Sequence, residues 1–111
     1  MARIYCPNKS GHDYEDAKRH GEIIFVTTGT QNKYSVQQMY RTWVEVLRDS
    51  RPEDYIILTG LNIICSIGCS IFAVMHGRLN LLIWRNNRYI SREIVMSNLL
   101  EEEVKEDAEC K

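Results

Sequence analysis

The stretch DYIILTG, residues 54–60, decides the fold class because it places a buried strand directly before a helix. Its apolar core does not alternate with polar residues, which is typical of a strand that is covered on both faces. Gly60 then leads into a long apolar segment, residues 61–76, which we interpret as a helix that Gly77 ends. A strand followed at once by a helix indicates a βα unit.

The same alternation extends in both directions from this unit. Upstream lie a strand at 3–6 that Pro7 stops, a helical turn at 13–20 and a second covered strand at 22–27. A helix then runs from about 35 to 49, with Ser35 as N-cap and Gln38 as its capping-box partner. Downstream, strands at 79–84 and 89–94 flank Asn86-Asn87, a pair that tolerates the positive φ of a two-residue hairpin turn.

The order of elements is therefore β, short α, β, α, β, α, β, β. Strands that alternate with helices predict parallel pairing through right-handed crossovers. We expect an α/β fold with a single Rossmann-like sheet, mostly parallel, with helices packed on it and a C-terminal antiparallel β-hairpin. Residues 1–96 are predicted to form one domain, and residues 97–111 an acidic, frayed tail.

The charge is unevenly distributed along the 111 residues. The net charge is −1, but the last twelve residues hold six acidic and two basic side chains. The remainder has 12 basic and 9 acidic residues, a body charge of +3. This balance is compatible with an anionic ligand but is a weak footprint for duplex nucleic acid, which we do not expect as a partner.

The four cysteines and the start of the chain indicate a cytoplasmic protein. Cys6, Cys65, Cys69 and Cys110 form no Cys-x-x-Cys pair, and the opening residues read as a strand rather than a secretory leader. Reduced thiols are the expectation, and Cys65 and Cys69 are interpreted as small buried hydrophobes rather than half of a metal site. The apolar segment 61–75 is interrupted by polar residues and is too short to cross a membrane.

Polar loops follow each of the first three predicted strands. In an open parallel sheet, ligands collect beyond the carboxyl ends of the strands, where the strand order reverses. Glycines, hydroxyls, lysines and helix N-termini there favour an anion such as a nucleotide. Plain turn chemistry explains the same residue types, since no P-loop or dinucleotide fingerprint is present. The predicted ligand-binding residues are Lys9, Ser10, His12, Thr28, Lys33 and Asn62.

The pair His12-Asp13 is the pattern that most resembles a catalytic site. A histidine in a loop after a strand can act as a general base, and Asp13 or Asp16 can orient it or hold a divalent metal. The structural alternative is that Asp13 caps the following helical turn and His12 is exposed. No catalytic residue, resident metal or cofactor is assigned, and we lean against an enzyme.

The helix at 61–75 is apolar around most of its circumference, although a helix on a sheet needs only one apolar stripe. Its second face must be covered by the helix that carries Trp43, by the tail or by a second copy of the chain. Ser66, Gly68 and Ser70 would permit close helix approach. We therefore predict a homodimer through this helix.

Three segments give the chain a resemblance to a known group of proteins: residues 7–14 (PNKSGHDY), 54–60, and 76–82 (HGRLNLL). Over residues 3–94 the chain resembles small accessory proteins of tailed phages that have no assigned activity. The resemblance implies a virus-encoded accessory role inside a bacterial host, in the host cytoplasm. It transfers no catalytic residue and no cofactor.

These observations lead to three functional hypotheses. The first is a small non-enzymatic binding protein, a virus-encoded accessory factor that holds an anionic nucleotide-like ligand or a host protein. The second is a small metal-dependent phosphodiesterase or nuclease that uses His12 and Asp13. The third is a pure protein-interaction module that uses the apolar helix and the acidic tail.

Overall fold

The computed structural model describes residues 1–9, 11, 13–29, 35–59 and 62–98, and its elements follow the predicted order. The predicted tail lies outside the described residues from residue 99 onward, and its separation from the domain stays a prediction. The elements are β1 (Arg3–Lys9), a 3-10 helix (Glu15–His20), β2 (Glu22–Thr28), α1 (Val36–Leu47), β3 (Tyr55–Ile57), α2 (Asn62–His76), β4 (Arg78–Arg85) and β5 (Arg88–Val95).

The five strands form one sheet in the order β2-β1-β3-β4-β5. β1 pairs in parallel with β2 on one side and β3 on the other, and β3 pairs in parallel with β4. β5 returns antiparallel to β4 through Asn86 and Asn87, whose φ angles of 51° and 63° are those of a type I′ turn. The predicted hairpin and its turn residues are confirmed.

The core is divided between the two faces of the sheet because side chains alternate along each strand. On one face, Tyr5, Ile56 and Leu81 pack with residues of α1 and α2. On the other face, strand residues such as Ile57 pack with Tyr14 and Ala17, in and beside the 3-10 helix. We call these the α face and the 3-10 face.

The α/β class with a C-terminal antiparallel hairpin is confirmed, but the sheet is mixed and the Rossmann-like description does not match it. Both α-helices lie on the α face, and the connection from β1 to β2 contributes only a six-residue 3-10 helix to the opposite face. That connection spans residues 10–21, which leaves little length for an α-helix between two parallel strands. The hairpin also takes the place of a further βα unit.

Two local predictions are wrong. β1 continues through Pro7 to Lys9, because β1 pairs with β3 only at Ile4 and Tyr5 and has an open side beyond that point. A proline is tolerated where a strand has such an open side. Ser35 precedes α1, but its side chain forms no capping hydrogen bond, so the predicted capping box does not form.

The strand at 22–27, predicted to be covered on both faces, is the edge strand β2. Ile23 and Phe25 pack on the 3-10 face while Ile24 and Val26 pack on the α face, which explains the unbroken apolar run. The edge position leaves all four side chains only partly buried.

The two α-helices approach closely where Trp43 of α1 covers Gly68 of α2. Trp43 is 1% exposed, and a Cβ added at Gly68 would overlap its indole ring. Gly68 is therefore required for this packing, and truncation of a buried tryptophan of this kind costs about 3–5 kcal/mol. This contact is the helix approach that the small residues of the segment suggested.

A buried carboxylate joins three segments at the edge of the sheet where β1, β3 and β4 begin. Asp54 is 2% exposed, and its two carboxylate oxygens accept the backbone N–H groups of Arg3 (2.9 Å) and Arg51 (2.8 Å). The Asn80 amide of β4 donates to the carbonyl of Asp54 at 2.8 Å. The contacts satisfy a buried charge with fixed donors and align the starts of three strands.

Asp54→Asn is expected to lower the free energy of unfolding by about 1–3 kcal/mol, because the new amide group must face a buried backbone N–H. Urea unfolding followed by circular dichroism measures the change. Asp49→Asn, an exposed site in the same loop, is the matched control and should shift stability by less than about 0.5 kcal/mol. Equal losses in the two variants would contradict the assigned role of Asp54.

Candidate functional site

The carboxyl ends of β2, β1, β3 and β4 lie along one edge of the sheet, which we call the carboxyl edge. The strand order reverses between β1 and β3, since the chain passes from β1 to β2 on one side and then to β3 on the other. Lys9 and Thr28 are register partners at this edge, and Asn62 begins α2 just after β3. The predicted ligand residues Ser10, His12 and Lys33 lie outside the described residues.

Several polar groups at the carboxyl edge bind each other. The Asn8 amide donates to the carbonyl of Gly29 at 2.9 Å, and the Thr27 hydroxyl donates to that of Pro7 at 2.7 Å. The ammonium of Lys9 lies 5.1 Å from the centroid of the Phe25 ring, a cation–π distance. Part of the polar character that suggested a ligand therefore holds the ends of β1 and β2 together.

The two predicted catalytic carboxylates each accept a backbone N–H group. Asp13 accepts the backbone N–H of Glu15, the first residue of the 3-10 helix, at 2.9 Å. This is the contact that the structural alternative predicts for Asp13, while His12, which it predicts to be exposed, lies outside the described residues. Asp16 accepts the backbone N–H of Tyr89 in β5 at 2.6 Å and pairs with Arg19 at 3.3 Å. Within the described ranges, no three His, Cys, Asp or Glu side chains are grouped to hold a metal ion. The hydrolase hypothesis also needs His12 and stays a prediction.

The two helical cysteines are neutral thiols in this environment. Cys65 donates to the carbonyl of Thr59 at 2.9 Å, and burial raises its pKa. Burial also raises the pKa of Cys69, to about 11. Protonated thiols are poor nucleophiles and poor metal ligands, which fits a packing role.

A basic pocket that the sequence analysis missed lies along the outer edge of β5. Its volume is about 410 Å³, and four arginines line it together with polar residues of the hairpin turn and β5. The arginines are Arg19, Arg85, Arg88 and Arg92. A signal was available, because the predicted hairpin register alone pairs Arg85 with Arg88. Arg19 could not be placed there, since it comes from the 3-10 helix.

The 3-10 helix fixes one wall of the basic pocket by binding the backbone of Tyr89. Arg19 and His20 both donate to the carbonyl of Tyr89, the latter at 3.1 Å, while Asp16 accepts its N–H. That N–H holds the pKa of Asp16 below its usual range, and the nearby Arg19 and Arg88 lower it further. The electrostatic surroundings of this carboxylate are therefore positive.

A second concavity, the helix groove, lies between α1 and α2 on the surface that faces away from the sheet. Its volume is about 760 Å³, and it is lined almost entirely by apolar and small side chains. The lining consists of Tyr40, Val44 and Arg48 from α1 or its C-cap, and Ser66, Ile67, Ser70, Ile71, Val74 and Met75 from α2.

Asp16→Asn is expected to lower stability near neutral pH, and the deficit should shrink in acid. The pKa of Asp16 is lower in the folded than in the unfolded chain, so its contribution is complete above the unfolded value of about 3.9. The contribution is lost as the pH falls through the folded value. Urea midpoints of both proteins between about pH 7 and pH 2 measure the gap.

Glu15→Gln is the control, because Glu15 pairs with Lys18 at 2.9 Å on the same element with both side chains exposed. Such a pair contributes little at any pH. A gap between wild type and Asp16→Asn that stays constant down to the lowest pH would contradict the assigned role of the Asp16 carboxylate.

In the part of the chain that the structure describes, no helix has the length and apolarity that a bilayer span requires.

Comparison with known proteins gives one family. Searches of curated protein sequences and of solved structures returned no match. A family model described as phage Pam3 gp32-like protein matches residues 3–96, nearly the same range as the phage resemblance seen in the sequence. The chain therefore belongs to the phage Pam3 gp32-like protein family.

Proposed function

We propose that this phage protein is a non-enzymatic binding protein that acts in the host cytoplasm and self-associates through the α1–α2 surface. The observation that carries the proposal is the helix groove, an open apolar concavity of about 760 Å³. Contiguous exposed apolar surface on a small protein marks an interaction site more often than chance.

Several large apolar side chains around the groove are exposed to solvent, which is unfavourable for apolar groups. Val74 is 87% exposed, Tyr40 53% and Met75 45%. They lie beside groove-lining residues that are partly covered, such as Ile67 and Ile71. The surface therefore has both apolar ridges and an apolar depression.

A second copy of the chain is the proposed occupant of this surface. In a two-fold dimer the same patch lies on both sides of the interface, so an apolar ridge and an apolar depression are present on each partner. Among the described lining residues Arg48 is the one that carries a charge, and it is paired with Glu45 at 3.0 Å. A neutral patch neither repels its own copy nor selects a charged partner.

The size of the surface predicts a weak dimer. The 15 residues of α2 give a length of about 22 Å, and two packed helices are about 8–10 Å apart. Such a face has a smaller area than a standard stable interface, which buries about 800 Å² on each partner. A dissociation constant on the order of tens of micromolar is expected.

An anionic ligand at the carboxyl edge is a second candidate function. The reversal of strand order between β1 and β3 favours it, because ligands of open parallel sheets bind beyond such points. Lys9 and Asn62 stand on the two sides of this position and supply a cation and a helix N-terminus. Lys9→Gln removes the cation of this site and leaves the lining of the basic pocket unchanged.

Val74→Asp is expected to keep the protein monomeric, because a charge at an exposed groove residue must be desolvated in the dimer. The folded monomer should be unaffected, since Val74 is 87% exposed. Sedimentation velocity from about 5 to about 300 micromolar measures the association.

Val36→Asp is the matched control, an identical change at an exposed valine of α1 that does not line the groove. It should dimerise like the wild type. A wild-type protein that stays monomeric throughout this concentration range, or a Val74→Asp variant that dimerises normally, would contradict the proposal.

A further inference from the structure

We propose that the basic pocket along β5 is a binding site for clustered phosphate groups, as found in a nucleoside polyphosphate or a single-stranded nucleic acid. The site is separate from the helix groove and from the carboxyl-edge position of Lys9, and it does not depend on self-association.

The hairpin register concentrates positive charge on one face. Arg85 and Arg88 are directly opposite each other at the end of the hairpin, and Arg92 lies on the same face of β5 four residues further on. Like charges at opposed positions of a β-ladder are destabilising. Exposed arginines that repel each other in the free protein gain most from an anion bound between them.

The structure provides little internal compensation for these three charges. Among the described residues, no carboxylate lies within ion-pair distance of Arg85, Arg88 or Arg92. The Arg92 guanidinium donates to the carbonyl of Ser91 at 2.8 Å, which orients it along β5.

The fourth arginine is held in a fixed position. Arg19 donates to the carbonyl of Tyr89 and pairs with Asp16, which does not itself line the pocket. The four lining arginines and this one carboxylate beside them give a net charge of +3.

This charge selects the class of ligand. Guanidinium groups bind phosphate oxygens through paired N–H donors, and several adjacent phosphates match three arginines that have no ion-pair partner among the described residues. Asn86 and Ser91 add neutral hydrogen-bonding groups, and Ile90 an apolar one. A volume of about 410 Å³ lies within the range of small-molecule sites.

The test measures anisotropy of two fluorescent probes, an ATP analogue and a short oligothymidylate, with the full chain at about 0.1 M salt. Wild type should bind at least one probe, and unlabelled pyrophosphate should displace it. Preference for the nucleotide identifies a free polyphosphate as the ligand, and preference for the oligonucleotide identifies a nucleic-acid strand.

The double variant Arg88→Gln/Arg92→Gln should weaken binding about tenfold or more, because it removes two charge-assisted contacts at exposed positions. Arg41→Gln/Arg51→Gln makes the same change in charge at exposed residues outside the pocket and should weaken binding less than about threefold. Lys9→Gln is the competing variant, because it weakens binding only if the probe occupies the second candidate site at Lys9 instead of the basic pocket.

Four results would overturn the assignment. They are no binding of either probe, equal weakening by the two arginine double variants, loss of binding in Lys9→Gln alone, and equally tight binding of a polyglutamate peptide. The third would move the anion to the candidate site at Lys9, and the fourth would show a general polyanion surface. Unchanged circular dichroism and melting temperature of the variants establish that they fold.

Discussion

The fold depends on the buried carboxylate of Asp54. β3 has only three residues and pairs with two residues on each neighbouring strand, so its ladder alone fixes the register of the central sheet weakly. Asp54 compensates by binding the backbone of Arg3 and Arg51, while Asn80 binds the carbonyls of both Pro52 and Asp54. Because β1, β3 and β4 start in register, their last residues occupy defined positions along the carboxyl edge.

Different elements cover the two faces of the sheet, and this difference accounts for both the helix groove and the basic pocket. α1 and α2 share the α face and pack so closely at Trp43 and Gly68 that their outer sides form one continuous apolar surface. The 3-10 helix on the other face is short, and it reaches β5, where Asp16, Arg19 and His20 bind the backbone of Tyr89. The same contacts that protect part of an exposed strand edge thereby bring a further arginine to the hairpin.

Local sequence patterns predicted the order of elements, the Asn86-Asn87 turn and the end of α2 at Gly77, because each depends on residues adjacent in the chain. They did not predict the strand order or the way the faces are covered, which depend on which strands pair and on how long each connection is. Of the two candidate binding surfaces, one could be predicted from the sequence and the other could not. The apolar excess of α2 was visible in the sequence, whereas the basic pocket combines a 3-10 helix with a hairpin some 70 residues later.

The central claim is that binding takes place on two separate surfaces, the helix groove and the basic pocket. Amide ¹H–¹⁵N chemical shifts of one labelled sample, recorded on dilution and then with added pyrophosphate, test it directly. The account predicts that dilution shifts amides of α2 around Ser70 to Met75, and that pyrophosphate shifts those of Arg88 to Arg92. Shifts with pyrophosphate centred on Lys9 and Asn62, or no change in α2 on dilution, would contradict it.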